Sequence, residues 1–462
     1  MERFRLKASL FVLATVVFFA CKKDHDAKPI PPVSPPEYVV DTIVPTGNEQ
    51  YLTKGSDYIF DQNSLHTFEI NLPTSQLKKI NENPAAEQYV AGTLTFEGEK
   101  ISPIGIRYKG SIGAFVGCLS GPDAGNPSGY KTCTKLSMQL KINWLDPDSK
   151  FYGLKKIQLH SQNQDPSQMH ERLAYYLFRA MGVPAPRSVH ARVIVNGQYM
   201  GLFALTEEVD GRFTRENFDD GTGNLYKEIW PLDMNGLPFS ESTYLSHLET
   251  NEDENPSASM IRGFAQAIAN STPDNIQAII TDRMKLEEII AYAVVDRTIR
   301  VDDGPFHWYC WGGNCSSHNY FWYEEPTKNT LHLIPWDMDN AFENIISNEN
   351  PVIPIADAWG ETRNNCQPFP YGSFQFMQRS AACDRLTAGW ASFEDEYNAQ
   401  LLHFKTEILA PEKINPLLHD WETQILDATT EARAAHGDAI PVADWSYALS
   451  KLKNQLEYAR SH

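Results

Sequence analysis

The sequence predicts an α+β protein of two lobes, with a strand-rich N-terminal lobe and a helix-rich C-terminal lobe. Two observations predict it. Apolar residues recur with period two through much of residues 68–205, broken by one capped helical segment. From about Asp210 the period becomes helical, broken by one hairpin. With 462 residues, 42% hydrophobic and 11% aromatic, the chain can fill a sizeable core, which excludes global disorder. Lys plus Arg number 40 against 59 Asp plus Glu, a net charge of −19. General phosphate-backbone binding needs clustered positive charge, so no nucleic-acid partner is expected.

The chain opens on an address. Arg3, Arg5 and Lys7 precede the apolar run Leu10–Phe19, which is too short to span a bilayer core of ~30 Å as a helix. Ala20 and Cys21 follow. This is a secretory signal. A cysteine directly after a small residue resembles a bacterial lipoprotein signal, with Phe18 where a leucine is usual. That resemblance implies a lipidated Cys21 and a membrane partner, hence a cell-envelope location at the outer membrane or cell surface. Residues from Lys22 to about Pro36 are rich in Pro, Lys and Asp and read as a tether. The organisation is a signal at 1–20, a tether at 21–55, the N-terminal lobe at 56–205 and the C-terminal lobe at 206–462.

Phe68, Ile70 and Leu72 alternate as a strand, and a short helix follows from Thr74. Tyr89–Phe96, Ile101–Tyr108, Lys135–Trp144 and Leu154–His160 read as further strands. Asp165-Pro166-Ser167-Gln168 starts a helix with Asp as cap and Pro at the first helical position, and Gly182 with Pro184 stops it. Val189–Val195 and Tyr199–Leu205 flank Asn196-Gly197, a favoured two-residue hairpin turn. Beyond Asp210 the clearest helices are Ser257–Ala269, Arg283–Ile299 and Trp445–Tyr458, interrupted by strands Asn319–Tyr323 and Leu331–Trp336. This is the layout of a kinase-like two-lobed domain with nucleotide between the lobes, although layout does not specify function.

Six cysteines remain after Cys21, and an even number outside the cytosol suggests disulfides. Proximity proposes Cys118–Cys133, Cys310–Cys315 and Cys366–Cys383. No paired C-x-x-C and no H-E-x-x-H is present, which disfavours zinc.

The strongest chemical signal is Leu333-Ile334-Pro335-Trp336-Asp337-Met338-Asp339-Asn340. An apolar strand ends in two carboxylates, which is costly unless something compensates the charge. A divalent cation does so, making Asp337 and Asp339 candidate metal ligands; the rival reading has Asp339 capping a helix from Asn340. Asp302-Asp303-Gly304-Pro305 closes an apolar helix and can present a carboxylate as general base, or be a solvated turn. Asn319 opens the next strand as a further candidate ligand. Lys135 on a strand and Glu171 in the following helix could form a phosphate-binding lysine and its partner. The loop Arg107–Gly113, with Lys109 and Gly110, could cradle phosphate without matching G-x-G-x-x-G.

Several segments, in order, resemble the CotH-type (spore coat protein H) kinase family. They are Ile106–Ser111, Leu154–Ser161 running into Gln164–Ser167, Glu171–Tyr175 with Met181–Pro186, Val195–Leu202, Asn224–Lys227 and Ile334–Asp339. The resemblance implies an atypical protein-kinase-like fold that binds ATP with Mg²⁺ or Mn²⁺ and phosphorylates Ser or Thr of secreted or surface proteins. By position it makes Lys135 the phosphate-contacting lysine, Glu171 its partner, Asp303 the catalytic acid, Asn319 a metal ligand and Asp337 the metal-binding Asp. The sequence departs through insertions bearing Cys118–Cys133 and Cys310–Cys315, and through competition between Asp302 and Asp303. Two alternatives stand beside it. One is a non-catalytic, pseudokinase-like surface module for protein or glycan, supported by Trp308, Tyr309 and Trp311. The other is a carbohydrate hydrolase using Asp303 and Asp337, which needs carboxylates ~5–10 Å apart.

Overall fold

The computed structural model describes residues 55–462 except 111, 124, 253–254, 347–351, 356–358, 360–365 and 373–374. The expected signal, Cys21 and the tether up to residue 54 lie outside the described residues.

The alternating segments of the first part close on themselves. Strands β1 (His66–Asn71), β2 (Val90–Phe96), β3 (Glu99–Tyr108), β4 (Met138–Lys141), β5 (Lys156–His160), β6 (Ser188–Val195) and β7 (Gln198–Thr206) form a closed barrel in the order β1-β2-β3-β4-β5-β7-β6. Neighbours run antiparallel except β1 and β6, whose parallel pairing from His66–Ala191 to Ile70–Val195 shuts the barrel. Every second residue then faces inward, and Phe68, Ile70, Leu94, Phe96, Ile106, Leu140, Leu159, Val193 and Phe203 fill the interior. Helix α1 (Thr74–Glu82) crosses outside between β1 and β2.

Two local expectations change. The strand expected at Lys135–Trp144 is only β4, so Lys135 lies outside it. The capped helix begins at His170, not at Asp165. Asp165 instead braces the preceding turn, accepting from the Ser167 N–H and, through its second oxygen, from the His170 N–H at 2.8 Å. Helix α2 (His170–Ala180) follows β5 in sequence, yet its Leu173, Tyr175, Leu177 and Phe178 pack into the helical core rather than the barrel.

That second core is built by α3 (Ser259–Ala269), α4 (Ile276–Arg283), α5 (Leu286–Ile299), α6 (Arg385–Ala391), α7 (Glu394–His403), α8 (Pro411–Ala435) and α9 (Val442–Ser461). Helix α5 is buried on every side from Ile289 to Val295, so it reads as apolar all round rather than as a stripe. It begins later than expected because extended backbone at Met284 separates it from α4. The expected hairpin is present and gains a third strand. β8 (Leu225–Lys227) pairs with β11 (Tyr320–Glu325), which pairs with β12 (Thr330–Pro335). A four-stranded sheet of short strands joins β9 (Trp308–Trp311), β10 (Asn314–Ser316), β13 (Phe369–Tyr371) and β14 (Phe376–Arg379) in the order β10-β9-β14-β13. All three disulfides form as proximity proposed: Cys118–Cys133, Cys310–Cys315 and Cys366–Cys383. Among the described residues no helix is long and apolar enough to cross a membrane.

Candidate active site

The hairpin of β11 and β12 sets the centre of the site. Tyr320 pairs with Pro335, so Asn319 and Trp336 meet at one end, and the Trp336 N–H donates to the Asn319 carbonyl at 3.1 Å. Asn319 (φ 61°) and Asp337 (φ 57°) both take the left-handed conformation, which Asn and Asp adopt more readily than most residues. Both strands therefore turn away sharply where their chemistry begins. The Asp337 N–H donates to the Tyr175 hydroxyl of α2 at 3.0 Å, and the Asp339 carbonyl accepts from His170 Nδ1 at 2.9 Å. Asp339 sits inside a single 3₁₀ turn, Met338–Asn340, so the expectation that it caps a helix from Asn340 is corrected.

The turn after α5 separates its two acids. Asp302 is fully buried and accepts from the Asn344 amide and the Ile355 N–H, which makes it a brace for the turn. Asp303 is half-buried and faces the hairpin end, where Asn319 Nδ2 donates to its carbonyl at 2.9 Å. Burial, reinforced by the charges of Asp337 and Glu228, pushes the Asp303 carboxyl up to about 8.

The barrel contributes one cation and the three-stranded sheet a second. Lys109 follows β3 and its ammonium donates to the Gln158 side-chain carbonyl and to His160 Nε2, the latter at 2.9 Å. His160 Nδ1 lies 2.7 Å from Glu171 Oε1, and the Thr206 hydroxyl donates to the same oxygen at 3.1 Å. Burial lowers the Lys109 ammonium, opposed by the charges of Glu208, Asp337 and Glu171. Lys227 at the end of β8 adds a second positive charge near Asp337, and both lysines approach the Trp336 ring, at 5.4 Å and 5.8 Å from its centroid.

The expected Lys135–Glu171 pair does not form. Lys135 turns its ammonium to the Leu202 carbonyl at 2.8 Å and feels Asp165 and Asp438; burial pulls it down to about 8. Gly110 lies in the expected loop at φ 147°, and a Cβ there would collide with Ala114. Its N–H is taken by the Glu87 carboxylate at 2.9 Å, and Glu87 is paired in turn with Arg107. The structure thus gathers Asp303, Asn319, Asp337, Asp339, Glu171 and Lys109, and leaves Lys135 aside. Sequence reasoning missed His160, Lys227 and Glu228 as participants. Two of them, His160 and Lys227, lie in segments already singled out by resemblance, Leu154–Ser161 and Asn224–Lys227.

The gathered acids strain against one another. Asp337 is raised by burial first and by Glu171, with Lys109 and Lys227 opposing. Asp339 is raised well above the ordinary range by burial, then by Asp337, Glu171 and Asp303. Such a set has a surplus of carboxylate charge and only oxygen donors in Asp337, Asp339 and Asn319, which suits a hard divalent cation. Among the described residues no three His, Cys, Asp or Glu side chains lie close enough to hold a metal by themselves. Phosphate and water oxygens would have to complete a shell, as is common for Mg²⁺.

Comparison with known proteins places the chain. The model of the family described as CotH kinase protein matches residues 106–461, and the chain belongs to that family. An "Inner spore coat protein H-like protein" of Bacillus subtilis (strain 168) is 35% identical over 63 residues, 14% of this chain. The match spans 20% of that relative's length.

Proposed function

We propose that the protein is a secreted, lipid-anchored kinase that transfers the γ-phosphate of ATP to Ser or Thr of an extracytoplasmic protein. One observation carries this reading: Lys109, Glu171, Asp303, Asn319, Asp337 and Asp339, distant in sequence, meet where the barrel abuts the β11–β12 hairpin. Family membership supports the phosphotransferase class. The basic start, the apolar run and Cys21 support export and anchoring in the cell envelope.

Phosphoryl transfer asks mainly for positioning and charge neutralisation. Lys109 contacts phosphate oxygens. Asp303 accepts the proton of the acceptor hydroxyl as its oxygen bonds to the γ-phosphorus and the bond to the ADP oxygen breaks. Raised to about 8, the Asp303 carboxylate is a stronger base than an ordinary one once ionised, so the proposed transfer should rise with pH toward 8. Asp337, Asp339 and Asn319 would hold Mg²⁺ or Mn²⁺, which when bound neutralises phosphate charge. Of the aromatics behind the non-catalytic alternative, Trp308 is buried, Tyr309 half-buried and Trp311 46% exposed.

The test is transfer of label from γ-labelled ATP, with Mg²⁺ or Mn²⁺, to the protein itself or to a Ser-rich acceptor. Labelling is expected for wild type and a loss of about a hundredfold or more for Asp337→Ala. Equal labelling by both removes Asp337 from the mechanism.

A further inference from the structure

An imidazole stands between the two charges that a direct lysine–glutamate pair would join. We propose that His160 is the positioning residue that fixes the Lys109 ammonium for phosphate contact; this rests on the kinase reading above. A carboxylate only accepts hydrogen bonds and an ammonium only donates them. With Nδ1 at 2.7 Å from Glu171 Oε1 and Nε2 at 2.9 Å from Lys109 Nζ, a neutral His160 that donates through Nδ1 and accepts through Nε2 satisfies both charged partners, while Gln158 Oε1 lies farther from Nε2, at 3.4 Å. The polarity of the bridge is therefore set: Glu171 selects the tautomer, and the tautomer turns a lone pair toward Lys109.

The ring has little freedom to do otherwise. It is 8% exposed, and its centroid lies 5.9 Å from that of Trp336 in an edge-on arrangement. Thr206 donates to the same Glu171 oxygen, which keeps that carboxylate in place. Gln158 takes a second Lys109 N–H, so two of the three ammonium protons are committed to the barrel wall and the third is left for an acceptor in the site. Lys109 follows β3 and His160 ends β5, with β4 between these strands, and Glu171 belongs to α2. The bridge thus couples the barrel to the helix that also holds Asp337 through Tyr175.

The experiment compares wild type, His160→Phe and His160→Gln by equilibrium binding of ATP with Mg²⁺, by KM and kcat for phosphate transfer, and by ligand-free melting temperature. Histidine-labelled ¹⁵N NMR on the nucleotide-free protein reports the His160 tautomer. Wild type should show the Nδ1–H form. His160→Phe should weaken ATP binding and raise its KM by about tenfold, the scale of one hydrogen bond to a charged group. His160→Gln, whose amide both donates and accepts, should recover most of that loss. If His160→Phe fails to fold, the Gln variant and the NMR spectrum decide. Unchanged ATP binding in a folded His160→Phe, or an Nε2–H tautomer in wild type, overturns the bridge alone. Wild type that binds no ATP overturns the kinase reading and with it the role of Lys109.

Discussion

At the scale of single residues, two lysines that look alike in sequence have different surroundings. Lys109 lies among the acids of the site, whereas Lys135 is spent on a backbone carbonyl beneath the barrel. Lys109→Met should therefore reduce kcat/KM for ATP by about a hundredfold or more, the cost of removing one preorganised charge from a transition state. Lys135→Met should leave it within about threefold; steady-state kinetics on both variants checks this. The acids were legible because charge at the end of an apolar strand demands compensation, and Asp337 and Asp339 stand at such an end. Lys135 was misplaced because the alternation of Leu136, Met138, Leu140 and Ile142 extends beyond the hydrogen-bonded strand, which starts only at Met138. Asp302 and Asp303 could not be separated by sequence, since only the partners Asn344 and Ile355 show which one faces inward.

At the scale of elements, the loop after β12 crowds two buried acids, Asp337 and Asp339, in and beside a single 3₁₀ turn. Burial and then the charge of Asp337 raise Asp339, and burial with Glu171 raises Asp337. Asp337→Asn keeps the shape and suits φ 57°, so it should raise the metal-free unfolding free energy by about 1 kcal/mol while depressing phosphate transfer, a familiar stability–activity exchange. Calorimetry without divalent ions, paired with the transfer assay, checks both signs. The same loop is anchored by Glu343, which lies 3.2 Å from His170 and is paired with Lys451 of α9. Burial alone would raise its carboxyl, but the bonds to His170 and Lys451 outweigh that and hold it at about 2, below its ordinary 4.5. Its contribution is fully present above about 4.5 and is lost as pH falls through 2. Urea unfolding should show Glu343→Gln losing about 1–3 kcal/mol at pH 6 and roughly half that or less at pH 3. Long periodic elements such as α5 and the β11–β12 hairpin were legible. The three-residue strands β8 and β10, and helix α8 with Pro416 in its interior, were not, because they are too short or break the rule that proline ends a helix.

At the scale of the whole molecule, closure of the barrel was the feature least visible in sequence. It depends on β1 pairing with β6, more than a hundred residues away, and no local pattern announces such a partner. The disulfides were visible because each joins near neighbours, 5 to 17 residues apart. Peptide mapping should recover all three pairs, and reduction should destabilise the fold; the 15-residue Cys118–Cys133 separation alone is worth about 3 kcal/mol on chain-entropy grounds. The unity of the molecule lies in barrel and helical residues meeting at one candidate site, proposed above to take metal and nucleotide. The shift in melting temperature caused by saturating ATP with Mg²⁺ tests this most directly, since a ligand that binds only the native state must stabilise it. Wild type and Lys135→Met should both gain several degrees, while Lys109→Met and Asp337→Ala should gain little or nothing. A wild type unmoved by ATP and Mg²⁺, or a Lys109→Met and an Asp337→Ala variant that gain as much as wild type, would contradict the account.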